Sequence, residues 1–437
     1  MLSPGSRPGH RRGRSAPLAG TVRMRGAAGR CSRPRRMLLV LLLALAATTV
    51  SVTPAGAAPV APAGTSFPGL GTLGTNPSRA AGEAAAGVRT AMMEVSWREW
   101  EPRSGQFDAG YERQMRARLA QLRASGMKVT LGLGLHFTPD WVKALPDARL
   151  VDQNGRVSAG ADFVFSGAVR ERAWDYLQRL GTVLDLGQVA AVRVTSGVRS
   201  ELLYPEGGTY WAFDANARTG RGLPEGVARN PYPDWRPGGG GLTTAQMQQW
   251  ALWYVDSLAE AGAFQMRALR KMGFGGAFEI LTPGVGVYAN KLDNLAEQNL
   301  PEGALGVGAY WSRIYPRLLQ TDRRIVANIS SLADGSGGDD SCSSEDRSVA
   351  LTSPTTNWWG GARWISRIAD EYGIAKVGEN PGYSSSTRSD YVDLSSSGAM
   401  ATAMRQGATC GLRTVYWAHD DQFWDGTVAF SRWAAYA

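Results

Sequence analysis

Histidine and cysteine are scarce in this chain of 437 residues, which contains three of each. A structural zinc site needs about four such ligands at short spacing, and Cys342 and Cys410 have no Cys or His neighbours in sequence. The scarcity argues against a zinc centre, and we expect neither a metal nor another cofactor. Long apolar runs are rare too, and the run at residues 37–47 is shorter than the roughly 20 residues that span a bilayer.

Acidic residues are absent from the first 57 residues, which contain ten arginines. This basic segment leads into the apolar run 37–47 and then into a small-residue cleavage pattern that ends at Ala57. The combination predicts a secretory leader, residues 1–57, and a secreted mature protein without a membrane anchor. The true start of the chain stays open between Met1, Met24 and Met37.

Basic residues no longer exceed acidic ones once the leader is set aside. The remaining chain has 37 Lys and Arg against 38 Asp and Glu, so its net charge is about −1, compared with +9 for the whole chain. It contains no Lys/Arg cluster of the kind that follows a phosphate backbone. We therefore expect no nucleic-acid partner.

Residues 58–87 are rich in Ala, Pro and Gly and indicate a loose lead-in to the domain that follows. Within them, residues 69–74 read GLGTLG and fit the G-x-G-x-x-G dinucleotide-binding pattern. A dinucleotide site needs a β-branched strand before this motif and a helix after it, whereas Pro68 precedes it and Thr75-Asn76-Pro77 follow. The motif does not indicate a cofactor.

From residue 88 to the end, strand-like and helix-like segments alternate. Apolar β-prone segments lie at 88–95, 127–135, 190–200, 277–287, 324–331, 374–378 and 412–417, and a short first strand near 66–73 makes eight. Helical segments lie between them at 111–125, 168–184, 243–272, 303–319, 356–372 and 396–406. This alternation predicts an α/β fold, a single (β/α)8 TIM barrel over residues 88–437, with its active site at the C-terminal ends of the strands. A doubly wound open sheet is the alternative fold.

Two cysteines remain beyond the leader, Cys342 and Cys410. An even number of thiols in an exported protein favours a disulfide. The barrel argues the other way, because Cys410 would lie at the entry of a strand and Cys342 in a loop after a strand exit, and these positions tend to lie at opposite faces. We predict the disulfide, and two free thiols are the alternative.

The stretch 190–205 combines a buried strand with a carboxylate. Its apolar residues predict a strand that stops near Glu201, and the Gly/Pro/Trp-rich segment 206–241 is far longer than the usual connection of about 4–6 residues. Loops of this length are commonly functional. We expect this one to form a wall of the cleft over Glu201, with Trp211 or Trp235 presenting a ring to the substrate.

Carboxylate, amide, imidazole and indole side chains recur at the predicted strand exits. Aromatic rings stack on the C–H faces of a sugar, while its hydroxyl groups need paired donors and acceptors. These exits, together with 15 tryptophans, favour an oligo- or polysaccharide as the partner. The candidate substrate-binding residues are Glu94, Trp97, His136, Trp141, Arg199, Tyr204, Asn328, Asn380, Trp417, His419 and Asp420. Glu279, inside a predicted strand, is expected instead to be a buried, paired carboxylate.

Four segments carry a resemblance to a known family. They read EVSWREWEPRSGQFD at 94–108, GMKVTL at 126–131, PDWV at 139–142 and LVDQNGRV at 150–157. Together they resemble the barrel of family 42 glycoside hydrolases, the β-galactosidase family, over about residues 91–205. The resemblance implies a retaining glycosidase that uses two glutamates, an acid/base after strand 4 and a nucleophile after strand 7. Glu201 and Glu379 stand at these positions.

The chain also departs from that family. The residue before the acid/base is usually Asn there, and Ser200 stands here. Residues 196–205, SGVRSELLYP, and the strand-3 residue His136 also resemble β-amylases, which invert configuration. Two alternatives to a retaining, β-galactosidase-like enzyme therefore stay open: an inverting, β-amylase-like glycosidase and a non-catalytic carbohydrate-binding barrel. The sequence does not determine the sugar or the linkage.

Overall fold

Eight parallel strands form the centre of the fold. The computed structural model describes residues 59–334, 341–380, 389 and 392–437. The strands are β1 Gly69–Thr72, β2 Val88–Glu94, β3 Lys128–Gly132, β4 Ala191–Val194, β5 Ala277–Thr282, β6 Ile325–Ile329, β7 Ala375–Glu379 and β8 Thr414–Trp417. Each strand pairs with the next in chain order, and β1 pairs with β8, Leu70 opposite Val415, so the sheet closes into a barrel.

Helices alternate with these strands. They are α1 Pro77–Ala85, α2 Trp97–Trp100, α3 Ala109–Ala124, α4 Asp140–Lys143, α5 Gly167–Val183, α6 Ala215–Thr219, α7 Thr244–Lys271, α8 Leu292–Glu297, α9 Trp311–Thr321, α10 Gly361–Glu371, α11 Ala399–Thr409 and α12 Phe430–Ala434. The predicted (β/α)8 TIM barrel is confirmed. Closure between β1 and β8 excludes the doubly wound open sheet, whose edges remain unpaired.

Helix α7 shows how the sequence builds the outer layer. The hydroxyl of Thr243 accepts a hydrogen bond from the N–H of Gln246, and the Gln246 side chain accepts one from the N–H of Thr243 in return. Further along, Trp250, Tyr254 and Leu258 recur every four residues and are fully buried. The capped start and this apolar face hold α7 against β4 and the neighbouring helices α5 and α9.

Two of the three glycines in the GLGTLG stretch, Gly71 and Gly74, are required by packing. Both β1 and α1 lie within residues 58–87, so this segment contributes the first strand and helix of the barrel. A Cβ on Gly71 would lie 2.7 Å from the ring of Tyr416, and one on Gly74 would lie 2.6 Å from the Asp420 carboxylate. The close neighbours from β8 and its exit therefore leave no room for a side chain at either position.

Cys342 and Cys410 form a disulfide, with their Cα atoms 4.9 Å apart. The predicted bond is confirmed, although the barrel argument against it is not. Residues 344–348 pack along α10, where Arg363 binds both carboxylate oxygens of Asp346 at 2.6 and 3.0 Å. This path brings Cys342 to the C-terminal end of α11, where Cys410 lies.

The predicted leader, residues 1–57, and its cleavage site lie outside the described residues. In the part of the chain that the structure describes, no helix combines the length and the apolar character needed to cross a membrane.

Candidate active site

A row of charged side chains crosses four neighbouring strands of the barrel. Glu94 of β2 pairs with Gly132 of β3, Gly132 with Arg193 of β4, and Arg193 with Glu279 of β5. Paired positions on parallel strands face the same side of a sheet, so these side chains meet in the lumen. Gly132 makes room for them, because a Cβ there would lie 2.2 Å from the Glu94 carboxylate.

Glu279 is buried and hydrogen-bonded by its neighbours, as the sequence predicts. One carboxylate oxygen accepts hydrogen bonds from the hydroxyls of Thr130 at 2.9 Å and Tyr416 at 3.0 Å, and the other accepts one from Nδ2 of Asn328 at 3.0 Å. Asn328 is fully buried and donates to Glu279. The Asn328 amide thus supports Glu279 inside the barrel, and its role as a substrate-binding residue stays a prediction.

Glu379, the last residue of β7, is bound to a cation from the opposite side of the lumen. Its Oε2 lies 2.8 Å from Nη2 of Arg193, and both side chains are buried. Burial raises the pKa of Glu379, and the charges of Glu279 and Glu201 add to the rise, while Arg193 opposes it. Burial also disfavours the charge of Arg193, yet the carboxylates of Glu379, Glu279 and Glu94 raise the pKa of its guanidinium. A fixed cation thus faces the carboxylate of Glu379.

Glu201 lies on a compact loop rather than at the end of a strand. β4 ends at Val194, so the prediction that the strand runs to Glu201 is wrong. The hydroxyl of Ser196 accepts a hydrogen bond from the N–H of Arg199 at 3.2 Å, and Gly197 has a φ of 75°. These local features turn the chain out of the sheet. The N–H of Ser196 then binds the carbonyl oxygen of Glu201 at 2.9 Å and closes the loop.

The Glu201 carboxylate has two polar neighbours on this loop. Its Oε2 accepts hydrogen bonds from Nε of Arg199 at 3.3 Å and from the hydroxyl of Ser200 at 3.1 Å. Arg199 also lies 2.9 Å from a carboxylate oxygen of the exposed Glu206, so two carboxylates share its charge. Glu201 is close enough to Glu379 for its charge to raise the pKa of that residue. Both predicted catalytic glutamates therefore lie at the C-terminal end of the barrel, Glu379 at the end of β7 and Glu201 on the loop after β4.

His136 and Glu94 belong to the same electrostatic cluster. Burial lowers the pKa of His136 to about 4, although the charge of Glu201 pulls it upward. Burial raises the pKa of Glu94 to about 7, opposed by Arg193 and by the hydrogen bond that Glu94 accepts from the N–H of Gly134 at 3.0 Å. A neutral imidazole and a protonated carboxyl both donate and accept hydrogen bonds, as sugar hydroxyls require. Substrate binding by these two residues stays a prediction that their position allows.

Three predicted substrate-binding aromatics are core residues. Trp97, Tyr204 and Trp417 are fully buried. Trp97 stacks on the buried Tyr176 with ring centroids 5.1 Å apart, and Tyr204 stacks on the buried Tyr254 with centroids 4.1 Å apart. Trp417 packs against aromatic rings that follow β8. Aromatic partners cover each of these rings in the structure, and substrate binding by them stays a prediction.

The long loop after β4 does not offer the indoles that the sequence predicts. Trp211 is 5% and Trp235 is 8% exposed, and Trp235 sets its edge against Trp250 of α7 at a centroid distance of 5.5 Å. Both rings are therefore packed inside the loop and against the helical layer. Trp141 is half-buried, and its Nε1 donates to the carbonyl oxygen of Glu101 at 3.1 Å, which leaves part of its ring open.

Hydrogen bonds connect the exit of β7 to that of β8, and the exit of β8 to that of β1. Asn380 is fully buried, and its Oδ1 accepts a hydrogen bond from the N–H of Ala418 at 2.8 Å. Asp420 is 4% exposed and accepts one from the N–H of Gly74 at 2.8 Å, and burial raises its pKa. Asp420 thus connects the exits of β8 and β1, and its role as a substrate-binding residue stays a prediction. His419, with a φ of 59°, remains exposed.

Sequence reasoning missed Arg193, together with Thr130 and Tyr416, which bind Glu279. Arg193 stands in the apolar run 190–200, and an arginine in a buried strand is itself a signal, because Arg is rarely buried without a partner. Val192 and Val194 flank it in the strand. Because successive side chains of a strand point to opposite faces, Arg193 points toward the lumen when the two valines face the helices. Within the described ranges, no three His, Cys, Asp or Glu side chains are grouped so that they could hold a metal ion.

Comparison with known families gives a partial match. A family model described as Beta-galactosidase, the family 42 glycoside hydrolases, matches residues 82–163, from α1 to the loop after β3. This segment contains Glu94 and His136 but neither Glu201 nor Glu379. No curated protein sequence matches the chain.

Solved structures share the barrel at low identity. The catalytic domain of β-amylase from Paenibacillus polymyxa has 14% identity and a TM-score of 0.56, and the match covers 84% of this chain and 97% of that one. The β-galactosidase from the psychrophilic Marinomonas ef1 has 14% identity and a TM-score of 0.52, covering 84% of this chain and 58% of that one. The chain therefore spans little more than half of that β-galactosidase. These likenesses show the TIM-barrel fold of glycoside hydrolases, and the family match supports a glycosidase.

Proposed function

We propose that this protein is a glycosidase that cleaves O-glycosidic bonds with retention of configuration, on a β-galactoside-like substrate. The observation that carries the proposal is the buried ion pair of Arg193 with Glu379 at the end of β7, with Glu201 near it on the loop after β4. Active sites of TIM barrels lie at this end of the strands. Two carboxyl groups at one site are what glycoside hydrolysis requires.

Glu379 is the proposed nucleophile. A carboxylate oxygen attacks the anomeric carbon and forms a glycosyl ester, while the bond from that carbon to the leaving oxygen breaks. The attack needs the ionised carboxylate, and burial alone would disfavour it. Arg193 counters this effect and holds Oε2 in place, so one contact supports both the charge and the orientation of Glu379.

Glu201 is the proposed acid/base. It gives its proton to the leaving oxygen in the first step, and as a carboxylate it then takes a proton from the water that hydrolyses the ester. Arg199 contacts Glu201 and is also paired with Glu206, so two carboxylates share its guanidinium.

The inverting alternative has its own support. The SGVRSELLYP segment and His136 resemble β-amylases, and Glu201 sits on a loop several residues beyond β4. An inverting enzyme separates its carboxyl groups by about 6.5–9.5 Å to admit water, whereas a retaining one needs about 5–5.5 Å. The two mechanisms give products of opposite anomeric configuration, so the stereochemistry of the first product distinguishes them.

A panel of aryl glycosides, starch and β-linked polysaccharides tests the proposal. Proton NMR of the products within the first minutes, before mutarotation, should show the anomer of the substrate. The opposite anomer would establish the inverting mechanism. Carbohydrate binding without hydrolysis of any glycoside would leave a binding barrel and would refute the enzymatic proposal.

Secretion is part of the same proposal. The basic leader with its apolar run and the Ala57 site predict export, and the disulfide of Cys342 with Cys410 is typical of oxidising compartments. The mature chain should begin near Ala58. N-terminal sequencing of protein from culture supernatant checks this, and an intact leader on the active protein would contradict it.

A further inference from the structure

Trp358 is the one fully exposed tryptophan of the protein. All 15 tryptophans lie in the described part of the chain, and the other 14 are buried or half-buried, whereas 78% of Trp358 is exposed. A buried indole removes roughly 150–250 Å² from water, and this one forgoes most of that stabilisation. Single exposed apolar residues are common, so the support and the location of this ring decide what it means.

The backbone around Trp358 is held in place on both sides. The ring ends a short 3₁₀ helix, Pro354–Trp358, in which Thr356 is fully buried and donates its hydroxyl to the carbonyl oxygen of Ser353 at 2.9 Å. The next residue, Trp359, is 5% exposed and lies 4.2 Å from the guanidinium of Arg363. Because both neighbours are anchored, the indole of Trp358 is presented to solvent by ordered backbone, which lowers the entropy cost of binding a ligand.

The segment that carries Trp358 lies at the barrel end of the proposed active site. Gly361 begins α10 there, and a Cβ on it would lie 3.1 Å from the hydroxyl oxygen of Ser331, just after β6. The next residue, Leu332, donates its N–H to the carbonyl oxygen of Glu379 at 3.4 Å. The turn that holds the exposed ring thus lies close to Ser331, and Leu332, the residue after Ser331, is hydrogen-bonded to the proposed nucleophile.

We propose that Trp358 is a stacking platform for a sugar unit remote from the scissile bond, so that the substrate is an oligo- or polysaccharide that leaves the cleft over the β6 side. The inference rests on the proposed glycosidase function. A flat indole face with a polar edge suits the C–H face of a hydrated sugar ring. A stable protein partner would need about 800 Å² of surface on each side. Trp358 is the single aromatic among the large apolar side chains that are exposed in the described ranges, so this face offers one ring and not an apolar patch.

The test compares Trp358→Ala and Trp358→Phe with the full-length wild type on two kinds of substrate. Val157→Ala, at another exposed apolar position, is the matched control. On an aryl glycoside, which occupies only the cleft, all variants should keep kcat/KM within about twofold. On the polysaccharide that the wild type degrades fastest among starch, β-1,4-galactan and xylan, Trp358→Ala should lose about 3- to 12-fold in kcat/KM through a higher KM. Trp358→Phe, which keeps a ring, should stay near the wild type.

Affinity electrophoresis in gels containing the same three polysaccharides separates the two proposals. If aryl glycosides are hydrolysed but Trp358→Ala matches the wild type on the polymer, the platform is refuted and the glycosidase stands. If no glycoside is hydrolysed, the glycosidase proposal is refuted. Retardation of the wild type in the gel, if it is lost in Trp358→Ala, would then still support the stacking platform. The absence of retardation by all three polymers, or equal retardation of both proteins, would overturn the inference.

Discussion

Arg193 of β4 and Glu379 of β7 form a 2.8 Å ion pair across the barrel lumen, with both side chains buried. Glu94 and Glu279 also act on Arg193, so one guanidinium balances three carboxyl groups. Breaking a buried pair by removal of one partner typically costs about 3–5 kcal/mol. The pair therefore links the stability of the barrel to the ionisation of the proposed nucleophile.

Replacement of the two glutamates should separate their roles. Glu379→Gln removes the nucleophile and should abolish turnover of every glycoside. Glu201→Gln removes the proton donor and should slow substrates with poor leaving groups by about 10²- to 10⁴-fold, while activated aryl glycosides, which need little protonation, lose less in the first step. Azide should rescue Glu201→Ala through a glycosyl azide, detected by mass spectrometry. Near-wild-type hydrolysis of an ordinary glycoside by Glu379→Gln or Glu201→Gln would contradict the assignment.

The acid limb of the pH profile should depend on Arg193. Glu379 must be ionised to attack, and its pKa lies above that of an ordinary glutamate, so kcat/KM should fall as the pH drops through that raised value. Arg193→Met removes the cation that favours the carboxylate and should move the acid limb up by about 1–3 pH units. Arg193→Lys keeps the charge and should shift it less.

Arg199→Met is the control for this shift, because Arg199 contacts Glu201 and not the Arg193–Glu379 pair. It should leave the acid limb in place. An unchanged acid limb in folded Arg193→Met would show that Glu379 is not the group that titrates there. Thermal melts of each variant establish that it is folded.

Asp214→Asn should stabilise the protein at alkaline pH. Burial raises the pKa of both Asp214 and Asp162, that of Asp214 to about 6, and the charge of Asp214 adds to the rise at Asp162. Since the folded pKa is raised, the stability that protonation contributes is present at low pH and lost as the pH rises through about 6. Arg170 opposes the rise at Asp162, and Asp147 adds to the rise at Asp214.

The neutral asparagine avoids this loss, so the free energy of unfolding at pH 8 should increase by on the order of 2 kcal/mol, with little change at pH 4.5. Denaturant titrations at the two pH values measure the difference. Asp234→Asn, whose side chain is 93% exposed, should show no such pH dependence. An equal effect of Asp214→Asn at both pH values would argue against a raised pKa of Asp214.

Loss of the disulfide should cost stability without changing the chemistry. The bond closes a segment with a sequence separation of 68, and removal of such a link typically costs about 2–4 kcal/mol. The Cys342→Ser/Cys410→Ser variant should therefore unfold at lower denaturant concentration, while its kcat/KM on an aryl glycoside at 25 °C stays close to that of the wild type. Reduction of the wild type should reproduce the loss, and equal midpoints for the oxidised and reduced wild type would contradict the prediction.

Local sequence signals were sufficient for the barrel and for part of the site. The alternation of apolar β-prone and amphipathic segments predicted all eight strands, because strand and helix periods are local properties of the chain. Carboxylates after two such strands pointed to Glu201 and Glu379. The even number of cysteines beyond the predicted leader was the better guide to the disulfide than the argument from strand positions.

Tertiary structure decided everything that depends on residues distant in sequence. Arg193 and Glu379 are 186 residues apart, and no local pattern pairs them until the barrel sets β4 opposite β7. Hydrogen bonds within the Ser196 loop ended β4 before Glu201 despite an apolar run that continued. Trp97 and Trp358 are both aromatic in the sequence. The structure stacks Tyr176 on Trp97 in the core and leaves Trp358 exposed. Burial is a property of the surrounding contacts, which a residue's own type does not contain.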